Sequence, residues 1–339
     1  MVYTENIKFA VIGCGHIGKR HAAMISHSPE AELVALCDIQ DPTVLNLDTY
    51  SHIPFFASID TLLESNIPID VLCICTPNGL HIPHAQKALD KKIHVVVEKP
   101  LGLTASSCQQ LISKAQQVER QIFCVMQNRY SPPSVWLKEV VESDKLGEIF
   151  MVQINCYWNR DERYYSKGSW HGDEKLDGGT LFTQFSHFID IMFWLFGDID
   201  NIQARIRDFN HQQLTDFEDS GFVSFDFVNG GIGTFNFSTS VYNQNLESSM
   251  TIIGQNGSIK VGGQYMNEVE YCKIKDYSMP ELQACNPPND YGAYKGSAAN
   301  HHFIIKNVID TLKGRAVATT NATEGYKVVD IIERIYRAR

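Results

Sequence analysis

From residue 8 to about 126, short apolar or β-branched runs alternate with segments whose apolar residues recur at helical spacing. The runs cover residues 8–12, 33–37, 71–75, 94–97 and 122–126. Helical patterns cover 18–27, 58–64, 81–91 and 104–118, and Ser58 and Thr104 stand where N-caps belong. Strict alternation of this kind predicts a parallel sheet covered on both faces, with right-handed crossovers, which is a doubly wound α/β domain. Beyond Pro132-Pro133 the pattern changes. One more helix is followed by runs with period two, Phe222-Val223-Ser224-Phe225-Asp226-Phe227 and Thr234-Phe235-Asn236-Phe237-Ser238-Thr239, with Asn229-Gly230-Gly231 between them as a hairpin turn. The second half is therefore expected to be α+β around an antiparallel sheet. It ends in an amphipathic helix over 323–339, capped by Asn321 and Glu324 in a capping box. The expected domains are 1–128 and 129–339, with that last helix free to pack back on the first.

Composition narrows the function classes. At 339 residues the chain exceeds what one core usually fills. Its 44% hydrophobic and 20% charged residues suit a globular protein, and no apolar run nears the roughly 18 residues of a membrane span. The polar segment 1–6 is no signal peptide, so the expected location is the cytoplasm. A balance of 29 basic to 39 acidic residues gives a net charge of −10, adverse to a nucleic-acid partner. The nine cysteines form no Cys-x-x-Cys pair and sit partly in apolar runs, so they read as reduced core residues and no metal site is expected.

Chemistry first appears at Gly13-Cys14-Gly15-His16-Ile17-Gly18, a Gly-x-Gly-x-x-Gly turn between a strand and a helix. Gly13 allows the tight turn, Gly15 lets backbone approach a pyrophosphate, and Gly18 lets the helix sit close to the sheet, its N-terminal amides facing the anion. Asp38, twenty positions past Gly18 at the end of the second strand, is placed for the adenosine ribose hydroxyls. A carboxylate there repels a 2′-phosphate, so the expected cofactor is NAD rather than NADP. Thr76-Pro77-Asn78 and Glu98-Lys99-Pro100 follow the third and fourth major strands, at the same ligand-binding edge. Partial burial there would lower the pKa of Lys99 and fit it for proton transfer or for binding a substrate hydroxyl. The cofactor set is Gly13, Gly15, His16, Ile17, Gly18, Asp38, Thr76, Pro77, Asn78, His81, Glu98, Lys99 and Gln127.

Together, Gly13-x-Gly15-x-x-Gly18-x-x-His21, Thr76-Pro77-Asn78 and Glu98-Lys99-Pro100 resemble the Gfo/Idh/MocA family of sugar and cyclitol oxidoreductases over nearly the whole chain. The resemblance implies a Rossmann domain joined to a large open antiparallel sheet with the substrate pocket, oligomers formed through that sheet, and a catalytic or substrate-orienting role for Lys99.

In the second half, the segment from Asp177-Gly178-Gly179 to Gly197 reads as an apolar helix on which Thr180, Thr183, Gln184 and His187 share one polar stripe. Its structural reading is a core histidine satisfied by Asp190 or a backbone carbonyl. The family carries acid-x-x-x-His here. His187 matches the histidine, but Thr183 replaces the acid, which makes His187 the expected base with Lys99 polarising the hydroxyl. Arg163-Tyr164-Tyr165, Trp170-His171-Gly172 and the helix motif resemble a subgroup that oxidises C3 of UDP-N-acetylglucosaminuronate, an early step toward surface-polysaccharide sugars. The substrate candidates are Lys99, Arg163, Tyr165, Trp170, Lys175, Thr183, Gln184 and His187, with Arg163 for the uronate or a phosphate. A UDP-sugar is the expected substrate, and the subgroup admits a 2-oxoacid as second substrate. The alternatives are an inositol or free-sugar dehydrogenase, against which Thr183 counts, and a noncatalytic NAD-sensing protein.

Overall fold

The computed structural model describes residues 3–166, 168–292 and 294–339. Six strands, β1 (Ile7–Ile12), β2 (Ala31–Cys37), β3 (Phe55–Phe56), β4 (Val71–Ile74), β5 (His94–Val97) and β6 (Ile122–Cys124), form a sheet in the order β3-β2-β1-β4-β5-β6. Every pairing in it is parallel. Helices α1 (His16–His27), α2 (Ile59–Glu64), α3 (His81–Asp90) and α4 (Ala105–Gln117) alternate with the strands. All residues of β4 and β5 are buried, as a strand covered on both faces requires. Ser58 and Thr104 cap α2 and α4 through Thr61 N–H and Ser107 N–H. The strand order reverses between β1 and β4, the point at which such sheets bind ligands beyond their carboxyl ends.

After α5 (Pro132–Glu142) and β7 (Ile149–Tyr157) come α6 (Ser186–Phe196), β8 (Ile199–Arg207), β9 (Ser220–Phe227), β10 (Ile232–Ser238), β11 (Glu247–Gly254), β12 (Gly257–Gly262) and β13 (Glu268–Ile274). The seven strands lie in the order β13-β12-β11-β7-β10-β9-β8. The β9–β10 hairpin forms as predicted, with Gly230 and Gly231 at φ +101° and +86°. The expected antiparallel sheet forms, with one parallel pair at its centre, where β10 runs beside β7. The intervening α6, β8 and β9 supply the long crossover that a parallel pair needs. Alternation on β10 buries Phe235 and Phe237, and Phe237 meets Phe185 with ring centroids 6.1 Å apart. Phe150, Phe222 and Ile232 on this sheet remain exposed. Short strands β14 (Pro288–Asp290) and β15 (Lys295–Ala298) precede α7 (His301–Leu312) and α8 (Ala322–Arg337). The capping box forms, Asn321 N–H donating to Glu324 and Glu324 N–H to Asn321 Oδ1.

Two compact units emerge, Met1–Met126 with His301–Val329, and Gln127–Asn300 with Asp330–Arg339. None of the described helices is long and apolar enough to cross a membrane. All nine cysteines are free.

Candidate functional site

The glycine turn divides its labour by geometry. A Cβ on Gly13, at φ +85°, would stand 2.6 Å from the Cys75 backbone, and one on Gly18 would strike the Gly13 carbonyl. Both are glycine because the turn closes on the sheet and on itself. A Cβ on Gly15 would meet no protein atom within 4 Å. Packing therefore does not demand Gly15, whereas close approach of a pyrophosphate does. Gly15 is also the N-cap of α1 and offers the first-turn amides no side-chain acceptor, the arrangement that suits an anion. His16 is exposed and Ile17 partly so. Asp38 accepts Cys14 N–H at 2.6 Å through Oδ2 and Gln40 N–H at 2.9 Å through Oδ1. Its carboxylate is thus fixed beside the turn with acceptor capacity to spare. The residues present fit a dinucleotide.

At the same sheet edge His81 ties two loops together. Its Nδ1 lies 2.7 Å from Pro100 O and its Nε2 2.8 Å from Thr76 O. Burial pulls its pKa down, against the pull of the two carbonyls and Glu98. Thr76 Oγ1 meets His84 Nδ1 at 3.1 Å, and Asn78 is buried. Glu98 is buried and does not face solvent beside Lys99; its Oε1 receives His21 Nε2 at 2.8 Å, with His301 Nε2 3.7 Å away. Burial alone would raise its pKa, but the His21 hydrogen bond and the charges of His301, His21 and Lys99 outweigh it and hold the group at about 2. His301 is pushed down to about 3, chiefly by burial. Among the described residues these three are the one cluster with metal-ligand proximity. Two donors on a zinc ion stand roughly 3.3 Å apart, given bonds near 2.0 Å in a tetrahedron. The 2.8 Å contact is instead that of a hydrogen-bonded pair. Lys99 is partly exposed, and its peptide bond to Pro100, which the sequence left open, is cis.

In the second unit a π-helical turn, Leu181–Phe185, leads into α6. The extra residue in a π-turn breaks the single stripe expected of Thr180, Thr183, Gln184 and His187. Thr180 Oγ1 turns to Glu218 O at 2.5 Å. Thr183 Oγ1 donates to the Asp177 carboxylate and lies 3.1 Å from Asp177 O. Gln184 accepts Arg160 Nε–H at 2.7 Å and donates to Tyr164 at 2.7 Å. His187 Nε2 stands 3.1 Å from Gln127 Nε2, whose backbone carbonyl accepts from Asn300. Asp190, the partner expected in the structural reading of His187, takes the buried Arg129 through two hydrogen bonds of 2.8 and 2.6 Å.

The other substrate candidates lie nearby in the chain but in different settings. Tyr165 is buried, Trp170 is partly buried and stacks obliquely on His171 at 3.9 Å, and Lys175 is exposed. Arg163, half-exposed, is held by Asp161 at 2.6–3.0 Å and by Asn159 and Asn243. Sequence reasoning preferred Arg163 to Arg160 in the same segment, and the structure seats Arg160 against Gln184. Sequence reasoning missed Asp177, the acid that meets Thr183. The Asp-Gly-Gly motif contained Asp177, but the five intervening residues hid the contact.

The model for an oxidoreductase family with an NAD-binding Rossmann fold matches residues 7–126, and that for the GFO/IDH/MocA C-terminal domain matches 135–260. The chain belongs to the Gfo/Idh/MocA family. It is an NAD-dependent sugar oxidoreductase. Similar solved structures include the WlbA dehydrogenase of Bordetella pertussis in complex with NADH and UDP-GlcNAcA, at TM-score 0.87 and 29% identity over 98% of this chain and 96% of that one. The WlbA dehydrogenase of Chromobacterium violaceum with the same ligands has TM-score 0.87 and 29% identity, over 99% and 94%. Glucose-6-phosphate 3-dehydrogenase of Bacillus subtilis is 23% identical over 97% of this chain and 95% of its own length.

Proposed function

We propose that this Gfo/Idh/MocA protein oxidises the C3 hydroxyl of a UDP-linked N-acetylhexosaminuronic acid to the 3-keto sugar. The observation that carries this reading is the end-to-end likeness to two WlbA dehydrogenases bound to NADH and UDP-GlcNAcA. Bound NAD supplies the hydride acceptor. The C3–H bond breaks with its electron pair leaving as hydride, the O–H bond loses its proton to the protein, and a C3=O bond forms.

His187 takes the proton. Its buried ring on α6 stands 3.1 Å from the Gln127 amide, which must give way at Nε2 to the substrate hydroxyl, and imidazole is the side chain most often used for such transfer. Lys99 holds the reacting oxygen as a donor. Glu98, held anionic by His21, keeps the adjoining backbone in place. Arg163 is assigned to the uronate or a phosphate, for which the ligand would exchange with Asp161. Tyr165, Trp170, Lys175, Thr183 and Gln184 are secondary contacts. A 2-oxoacid as second substrate would return the cofactor to its oxidised form.

A second reading, a free-sugar or sugar-phosphate 3-dehydrogenase, is favoured by the Bacillus subtilis relative. Turnover of UDP-N-acetylglucosaminuronate against glucose 6-phosphate and free sugars separates the two. Under the proposed reading, Lys99→Ala and His187→Asn each lower kcat by about 10²–10⁴-fold with NAD and the UDP-uronate. Full turnover by both variants would sink the assignment.

A further inference from the structure

The second unit buries two guanidinium groups, and only one of them has a counter-charge. Arg129 is bound bidentately by Asp190. Arg160, 2% exposed, has no carboxylate within ion-pairing distance among the described residues. Its Nε donates to Gln184 Oε1 at 2.7 Å, Nη1 to Asn159 O at 2.6 Å and Asn245 Oδ1 at 3.2 Å, and Nη2 to Lys295 O at 3.1 Å. Every one of these acceptors is a neutral carbonyl oxygen. The rings of Trp158, Tyr164 and Tyr294 surround it at 4.8, 5.1 and 5.0 Å. Dipoles and π-faces stabilise the cation but carry no net charge. An arginine stays protonated even where burial opposes it, so a full positive charge is fixed in a region of low dielectric. Buried charges are ordinarily paired.

We propose that the missing partner is the substrate: Arg160 is a specificity-determining residue whose uncompensated charge selects a sugar bearing a carboxylate over its neutral counterpart. This rests on the UDP-uronate reading and deepens it. Arg163 does not supply the same selection, since Asp161 already cancels its charge, and of its two roles this leaves it the phosphate. Position favours the sugar over the nucleotide. Gln184, which Arg160 grips, lies on the π-turn that leads directly into His187, the base assigned to the sugar hydroxyl. One Nη2 N–H beyond the bond to Lys295 is left to donate, and a charged acceptor makes the stronger bond.

The test measures binding to the NAD-loaded protein, by calorimetry, of UDP-N-acetylglucosaminuronate and UDP-N-acetylglucosamine, which differ only in a carboxylate against a hydroxymethyl group. The wild-type protein is expected to prefer the uronate by about 10–100-fold, the worth of one charge-assisted hydrogen bond. Arg160→Met should bring the ratio near one, mainly by weakening the uronate, while Arg160→Lys retains part of it. Asn245→Asp offers a near-isosteric internal carboxylate 3.2 Å from Nη1, at a position given no substrate role. It should raise the melting temperature and abolish the preference together, and it decides the matter where Arg160→Met does not fold. A purely structural Arg160 would give the higher melting temperature with the preference unchanged, and that result overturns the inference. So does a wild-type protein that binds both sugars alike while still turning over the uronate, which leaves the dehydrogenase reading standing. Binding and turnover of neither sugar refute both.

Discussion

Glu98 shows how a motif residue can be legible while its work is not. Next to Lys99 in the sequence, it invites pairing with that lysine. In the fold, Glu98 lies just past the end of β5 and turns inward to His21, 77 positions earlier. The helix α1 that begins at the glycine turn thus also supplies the donor that keeps this buried acid charged. Replacing His21 by Ala leaves an unpaired buried carboxylate and is expected to lower stability by about 3–5 kcal/mol at neutral pH, measured by denaturant unfolding. The sign with pH follows from a folded pKa of about 2 against an ordinary 4.5. The stabilisation is present above pH 4.5 and vanishes as pH falls through about 2, so the variant should lose much of this acid-side slope. The partners of Arg160 and Asp177 were invisible to sequence reasoning for the same reason. They lie 24 and 6 residues away, placed by the path of the chain and not by any local spacing.

At the scale of elements, the glycine turn and the start of the site helix each make a separable claim. Gly15→Ala should leave the melting temperature unchanged and weaken NAD binding, because the new methyl meets no protein atom within 4 Å. Gly18→Ala should lower the melting temperature as well, since its methyl collides with the Gly13 carbonyl. Thermal melts with and without NAD distinguish these outcomes. The π-turn is anchored by Glu218, which accepts Tyr336 O–H at 2.6 Å and Thr180 N–H at 3.2 Å. Burial raises its pKa from 4.5 to about 7, against the opposing hydrogen bonds from Tyr336 and Thr180. Because the folded state holds this proton more tightly, stability is greatest below pH 4.5 and declines as pH rises toward 7. The decline is at most about 3 kcal/mol. Glu218→Gln should flatten that decline, as read from unfolding free energies at pH 5 and pH 8. The helix itself was plain in the sequence. Its π-turn was not, because periodicity arguments assume 3.6 residues per turn throughout.

Across the whole molecule, strand and helix alternation yielded the doubly wound sheet because each crossover is local. The Asn229-Gly230-Gly231 hairpin was readable for the same reason. The centre of the second sheet escaped, since no pattern of apolar residues records whether two distant strands run the same way. That pairing bears on how the chain is made. β7 is the middle strand of seven, yet its two neighbours, β10 and β11, begin only at Ile232 and Glu247. As synthesis proceeds from the N-terminus, β7 therefore emerges long before either edge can be covered, and an uncovered strand edge is a template for association between chains. Chains halted before Ile232 should be cut by protease within 149–157 and should aggregate, whereas chains extended past Gly254 should be protected there. The same topology that gives the finished sheet a secure interior makes its central strand, the first of the seven to emerge, wait for both of its neighbours.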